Sequence, residues 1–241
     1  MGGFFYKFGR FVGRQSRKAN WAFRSLTGSE EEAIRAEWGV GRDLAREVLE
    51  QTPADPDPAV ARWLDEIGGL LAKEVQQKGR TFCFRCVQVP EPNAFALPGG
   101  FVFVTRPLLR LCQASHDDLA FVLGHEMAHV VCGHSLERLV ARSLITGAVG
   151  RWNPVAGLLR GPLTGLMATL LQQGYSQDQE LEADRVGAAL AAEAGFDAGA
   201  GPRLLGKLRQ HFAGPSEVAG YFSSHPPWDV RIESLHRTRG G

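Results

Sequence analysis

The spacing of apolar and polar positions predicts a chain built mainly of helices. Ser29 followed by Glu32 has the pattern of a capping box and opens a helical segment that runs to about residue 51. The turn-forming run TPADPDP then breaks the chain, and its last residue, Pro58, begins a second helical segment. From Ser115 onward the apolar residues again recur with helical spacing.

Two short strands are predicted between these helical regions. Residues 82–89 alternate loosely between apolar and polar side chains, which is typical of a half-buried strand. Residues 101–105 form an apolar run rich in valine and phenylalanine, directly after the turn-rich residues 97–100. The expected fold class is therefore α+β, mainly helical, with a small β-sheet.

Length and apolar content predict a single domain. The chain has 241 residues, 44% of them hydrophobic, which is enough to bury one substantial core. We expect an N-terminal segment over residues 1–28 and one domain over residues 29–241, with helices in residues 29–80 and the rest of the core in residues 81–241. Arginines and prolines interrupt the apolar stretch 144–171, which predicts a buried or interfacial helical hairpin.

The N-terminal segment is basic and aromatic. Residues 1–28 carry six Lys and Arg side chains and no acidic one, interleaved with aromatic rings. Residues 1–24 could lie on an anionic membrane surface, or could form a helix that packs its rings on the domain, and the sequence leaves both open. Because the segment lacks the apolar region and cleavage site of a secretory signal, we expect it to be retained.

Net charge and cysteine content bear on the expected partners and cellular location of the chain. The chain has 27 Lys and Arg against 26 Asp and Glu, so no global field attracts nucleic acid, and we expect no nucleic-acid partner. Its four cysteines are too few for a disulfide scaffold, and Cys83 and Cys86 would point to opposite faces of a strand. This cysteine content is consistent with a reducing compartment. The expected location is the cytoplasm, with peripheral membrane association as the variant that residues 1–24 allow.

The chemistry of the chain centres on His125-Glu126-x-x-His129. This motif follows a predicted helix cap at Ser115, so the two histidines project from one helix face, one turn apart. Two imidazoles at this spacing can share a metal ion, and Glu126 beside them can take a proton from an attacking water. We therefore predict one zinc ion per chain and a hydrolytic reaction.

A third metal ligand must come from another segment. Ser176 can cap a later helix in which Glu180 and Asp184 share one face. Glu180 can then ligate zinc, while Asp184 accepts the other ring N–H of a ligand histidine.

Two nearby polar residues are expected to stay outside the site. His134 lies five residues past His129, about 140° around a continuous helix, and is expected to cap carbonyls or pack locally. Glu182 lies about 200° from Glu180 and is expected to be solvated or paired with an arginine.

Four ordered elements resemble the HtpX and CAAX prenyl protease family of zinc peptidases, which includes Oma-type and periplasmic quality-control members. The elements are NAFALPGG with the following FVFVT, HEMAHVVCGH, SQDQELEADRVG, and SHPP with Arg231 and Ile232. The resemblance implies a gluzincin, with a zincin-type fold whose small sheet flanks the histidine-bearing helix. It makes Glu180 the third zinc ligand and Asp184 the partner of a ligand histidine. Integral-membrane relatives carry clean hydrophobic spans that this chain lacks, so it resembles a soluble or peripheral branch.

The same resemblance implies an endopeptidase that cleaves protein substrates, including misfolded or membrane-associated proteins in quality control. Residues 101–105 would form the rim of the cleft, where a substrate adds as an extra strand, although their apolar content also permits a wholly interior strand. His225 would donate to the oxyanion or approach the zinc as an extra ligand. Arg231 would support the same loop or the oxyanion.

A rival hypothesis from another class is a zinc-bound but proteolytically silent protein. Such a chain would act as a chaperone-like or membrane-surface binding module through its basic N-terminus. Glu126 argues against this alternative, because a binding module has no use for a base beside the metal.

Overall fold

This computed structural model of the chain describes residues 29–77, 79–145, 174–211 and 228–239. The predictions for residues 1–28, for nearly all of the stretch 144–171 and for His225 lie outside these ranges. The domain boundary at residue 28 therefore stays a prediction. In the described ranges, no helix combines the length and the apolar character that a membrane span requires.

Two capped helices begin the described chain. Helix α1 (Glu30–Gln51) starts after Ser29, whose hydroxyl accepts a hydrogen bond from the Glu32 amide at 3.2 Å. Helix α2 (Pro58–Glu74) starts after Asp57, whose carboxylate accepts from the amide of Ala59. Both starting points are those that the sequence predicts, because caps are local signals.

A three-stranded sheet follows, with strand order β1-β3-β2. Strand β1 (Cys83–Val87) pairs in parallel with β3 (Phe101–Thr105), and β2 (Ala94–Leu97) pairs antiparallel with β3. A tight turn over Pro98–Gly100 joins β2 to β3; Gly99 and Gly100 have φ values of 77° and 95° there, which glycine adopts without strain. The mainly helical α+β class is confirmed.

The position of β3 corrects one prediction. We expected Phe101–Thr105 to form an open rim where a substrate strand could add. Strand β3 is instead the central strand, and both of its edges are already paired. The interior reading of this apolar run is the right one, because a buried strand needs no polar face.

Six further helices complete the described fold. They are α3 (Arg106–Leu111), α4 (His116–Val131), α5 (His134–Ile145), α6 (Gln177–Glu193), α7 (Ala200–His211) and α8 (Trp228–Arg239). Ser115 caps α4, and Ser176 caps α6 in a capping box with Gln179. The two helices that carry the predicted ligands therefore begin where the sequence places them.

The sheet separates two parts of the core. Val102 and Val104 of β3 face a large apolar cluster with residues of α2, α4, α6 and α7, whereas Phe103 faces a smaller cluster with α1. Buried Glu37 ties α1 to the turn before β3, because its carboxylate accepts from the Gly99 amide at 2.9 Å and from Arg80 at 3.1 Å. Helix α4 packs against strands β2 and β3 and also against α6.

Candidate metal centre

A glycine contact brings α4 and α6 unusually close together. A Cβ atom built on Gly187 of α6 would lie 2.5 Å from the backbone nitrogen of His125, and one built on Gly124 of α4 would lie 2.7 Å from the Gly187 carbonyl oxygen. Both distances are shorter than a carbon can approach such atoms. Only glycine fits at these two positions, and this close crossing sets the carboxylates of α6 beside the histidines of α4.

Three donor atoms converge where the helices cross. His125 Nε2 lies 3.2 Å from His129 Nε2 and 3.4 Å from Glu180 Oε2, and His129 Nε2 lies 3.4 Å from Glu180 Oε1. His125 is 4% exposed, and His129 and Glu180 are fully buried. In the described ranges, these three residues are the group whose donor atoms lie close enough to share one ion.

The spacing of the donor atoms fits a zinc ion. Zinc binds imidazole nitrogen and carboxylate oxygen at about 2.0–2.1 Å in a tetrahedral arrangement, which places neighbouring donor atoms about 3.3–3.4 Å apart. Two neutral histidines and one carboxylate leave the fourth corner of such a tetrahedron for another group. In the described ranges no fourth donor residue joins the set, and three protein ligands fit a catalytic zinc site, which keeps one position open.

His125 is held from behind by a buried ion pair. Its Nδ1 lies 2.9 Å from Asp184 Oδ1, and Arg231 donates to both oxygens of Asp184 at 2.7 and 2.8 Å. Burial opposes ionisation of Asp184, but the charge of Arg231 and the contacts with Arg231 and His125 outweigh it and lower the pKa of Asp184 to about 2. Asp184 is therefore an anion at neutral pH and a strong acceptor for His125.

The two ligand histidines differ in their affinity for a proton. Burial lowers the pKa of His125, but hydrogen bonds to Asp184 and Glu180 outweigh it and raise the pKa to about 10. Burial dominates at His129 and holds its pKa well below the ordinary value. Since a metal binds neutral imidazole, a cation at this site displaces the proton from His125.

His129 is held by a different pair of residues. Its Nδ1 lies 3.1 Å from His134 Nδ1, and His134 Nε2 lies 3.4 Å from an oxygen of Glu182. Glu182 is 3% exposed, so it is not solvated as expected, and its described ion-pair partner is His134 and not an arginine. Helix α4 ends before Gly133, whose φ of 79° turns the chain, and α5 packs His134 against His129.

Tyr175 is a site residue that the sequence did not suggest. Its ring stacks on His129 with centroids 3.6 Å apart and planes inclined by 12°, and the Arg138 guanidinium lies 4.1 Å from the same ring centroid. Burial raises the pKa of the Tyr175 phenol, and its hydroxyl has no hydrogen-bond partner among the described residues. In the sequence, only the position of Tyr175 immediately before the helix cap Ser176 could have suggested that it lies near the site.

Glu126 lies beside the donor atoms but is not one of them. It is 3% exposed and lines a cavity together with His125, Arg231 and apolar residues such as Ala94 and Leu204. Arg231 directs its charge to Asp184 and Glu180, so its roles at the oxyanion or in loop support stay predictions. The role of His225 also stays a prediction, since that residue is outside the described ranges.

A family model and individual relatives agree on what this chain resembles. The model of peptidase family M48 matches residues 58–239. A putative beta-barrel assembly-enhancing protease of Vibrio cholerae is 31% identical over 210 residues, covering 83% of this chain and 43% of the relative. The mitochondrial metalloendopeptidase OMA1 of Schizosaccharomyces pombe is 34% identical over 151 residues, covering 62% of this chain and 44% of the relative.

A third relative is matched over similar shares of the two chains. The beta-barrel assembly-enhancing protease of Escherichia coli K12 is 29% identical over 212 residues, which cover 83% of this chain and 43% of the relative. The matched part of the chain thus spans less than half the length of each of these relatives.

Proposed function

The chain belongs to peptidase family M48, and on this premise we propose that it is a zinc-dependent endopeptidase. One observation carries the proposal: the Nε2 atoms of His125 and His129 lie 3.2 Å apart, each lies 3.4 Å from one oxygen of Glu180, and Glu126 lines the same cavity as His125. The family and the donor set together favour zinc over other metals.

Each residue of the site has a distinct task in the proposed reaction. Zinc supplies the Lewis acid that lowers the pKa of an attacking water and polarises the scissile carbonyl. Glu126 takes the proton from that water and passes it to the leaving amine. Asp184 holds the ring of His125 and fixes which of its nitrogens carries the proton.

The outer edge of β2 is the best candidate for binding a polypeptide. The Thr105 amide donates to the Asn93 carbonyl at 2.9 Å, so alternate residues from Asn93 onward direct their backbone groups to β3. Ala94 and Ala96 then direct theirs to the outer edge. The Ala96 carbonyl accepts from Arg138 at 3.5 Å and Ala96 is fully buried, so a substrate strand would have to displace Arg138 to pair there.

The location of this edge supports that proposal. Strand β2 packs against α4, and Ala94 lines the same cavity as Glu126. Pairing through backbone groups places few demands on side chains, which suits an enzyme that cleaves misfolded or membrane-associated proteins of varied sequence. We propose such proteins as substrates and, through residues 1–24, contact with an anionic membrane surface in the cytoplasm.

The substitution Glu126→Gln tests the activity. It keeps the shape of the side chain and removes the carboxylate, so we expect zinc to stay bound while cleavage of an unfolded protein such as casein falls by about 10²- to 10⁴-fold. Zinc content is measured by elemental analysis and cleavage by release of peptides. The control Glu66→Gln changes an exposed residue of α2 and should leave both unchanged.

Two results would count against the proposal. If zinc-loaded Glu126→Gln cleaves as fast as the parent, the cleavage comes from elsewhere. If the zinc-loaded parent cleaves no protein or peptide, the silent binding module becomes the better hypothesis.

A further inference from the structure

A row of three buried side chains extends away from the donor atoms. His129 Nδ1 faces His134 Nδ1 at 3.1 Å, and His134 Nε2 faces Glu182 at 3.4 Å. His129 is fully buried, and His134 and Glu182 are each 3% exposed. Polar groups are kept this deep in a protein when each has a partner, so the order of donors and acceptors along the row is constrained.

A metal at Nε2 of His129 fixes that order. A neutral imidazole that ligates through Nε2 carries its proton on Nδ1, so His129 donates to His134 Nδ1. His134 must then present a lone pair at Nδ1, which leaves its own proton on Nε2. That proton points to Glu182, whose carboxylate oxygen accepts it. Each ring nitrogen of the two histidines is thus fixed as metal ligand, hydrogen-bond donor or hydrogen-bond acceptor.

We propose that His134 and Glu182 are positioning residues that hold His129 in the tautomer and ring orientation required for metal binding. The proposal rests on the metal site proposed above. His134 is not itself a ligand, because the ring of His129 lies between it and the donor atoms: it contacts Nδ1, whereas the donor is Nε2.

The other ligand histidine, His125, is also held by a buried acidic residue. His125 donates directly to Asp184, whose charge is balanced by Arg231, whereas His129 reaches Glu182 through a second imidazole. Asp184 and Glu182 both come from α6, the helix that also provides Glu180. Glu180, Glu182 and Asp184, at every second position over slightly more than one turn of α6, therefore serve the metal, His129 (through His134) and His125 respectively.

Zinc affinity of single variants tests the role of His134. We expect His134→Ala to weaken zinc binding by about 10- to 100-fold, the usual effect of losing a partner of a metal-bound histidine. His134→Asn should restore part of the loss, because its amide oxygen can accept at the former place of Nδ1. His236→Ala, at an exposed histidine of α8, is the matched control and should bind like the parent.

The measurement is competition of the full chain with a chromophoric zinc chelator, with circular dichroism as the check on folding. A folded His134→Ala variant with parental affinity would overturn the proposal. If the parent itself binds no zinc, the metal site and this inference fail together. If the parent binds zinc but cleaves nothing, the peptidase proposal fails and this one stands.

Nitrogen NMR of the zinc-loaded parent gives a second test that needs no variant. We expect His129 to carry its proton on Nδ1, and His134 to carry its proton on Nε2 with an unprotonated Nδ1. A proton on His134 Nδ1 would contradict the proposal, because two N–H groups cannot hydrogen-bond to each other. Glu182→Gln should preserve these tautomers, since its amide oxygen still accepts from His134.

Discussion

At the residue scale, the metal site depends on side chains that support the ligands from behind. Asp184 is the most constrained of these, because it is fully buried between His125 and Arg231. A buried ion pair adds little stability in itself, but loss of one partner leaves the other charge without compensation.

Asp184→Ala should therefore affect both metal and fold. We expect zinc affinity to fall by about 10- to 100-fold, and the free energy of unfolding to fall by up to about 3–5 kcal/mol, because buried Arg231 loses both hydrogen bonds to Asp184 and keeps its 3.5 Å contact with Glu180. Chelator competition and urea denaturation measure the two effects.

Asp229 of α8 offers a matched control for this prediction. Its side chain is 78% exposed and pairs with Arg209, so Asp229→Ala should change stability by no more than about 1 kcal/mol. If Asp184→Ala were as mild as this control, Asp184 would have no part in holding His125.

The residues of the site differ in how far the sequence predicts them. Spacing within one helix is enough to predict His125, Glu126 and His129, whereas two acids on one face of a second helix make Glu180 and Asp184 candidates that the family resemblance then selects. The geometry of a continuous helix placed His134 outside the site, and nothing suggested Tyr175, because both positions depend on the turn at Gly133 or on packing between separate segments.

At the element scale, the crossing of α4 and α6 determines whether the ligands meet. Gly187→Ala would place a methyl group 2.5 Å from the His125 backbone nitrogen, so the helices must separate. We expect a loss of stability of about 1–3 kcal/mol, as for other overpacked cores, and weaker zinc binding because Glu180 moves with α6.

Gly206 of α7 is the matched control for Gly187. It is also a helical glycine, but nothing lies within 4 Å of a Cβ built there. Gly206→Ala should be neutral or stabilise the chain by up to about 1 kcal/mol through helix propensity alone. Equal thermal shifts in the two variants would show that the α4–α6 contact tolerates a side chain.

Elements were predictable where their signals are local. The caps at Ser29, Asp57, Ser115 and Ser176 mark helix starts within a few residues of sequence. Strand β2 was not predicted, since four residues between an asparagine and a Pro-Gly-Gly turn show no clear period. The central place of β3 follows from pairing between distant segments, which no local pattern encodes.

At the scale of the whole molecule, the basic N-terminal segment precedes helix α1, which packs on the sheet. If the six basic residues of the N-terminal segment act at a surface, the chain should bind vesicles containing phosphatidylserine and release them as salt rises. Vesicle sedimentation measures this, with neutral phosphatidylcholine vesicles as the control.

Deletion of residues 1–24 separates the two hypotheses for this segment. Loss of vesicle binding with an unchanged melting temperature would support membrane contact. A lower melting temperature with vesicle binding retained would instead support a helix packed on the domain.

The glycine pair at the helix crossing also limits how this chain can vary. Every codon change that replaces Gly124 or Gly187 adds at least one carbon to a contact with no room for it. A histidine partner such as Glu182 can be exchanged for another acceptor, but these two positions have no conservative substitute. We therefore expect substitutions at either position to disturb the metal site, although neither glycine takes part in the chemistry.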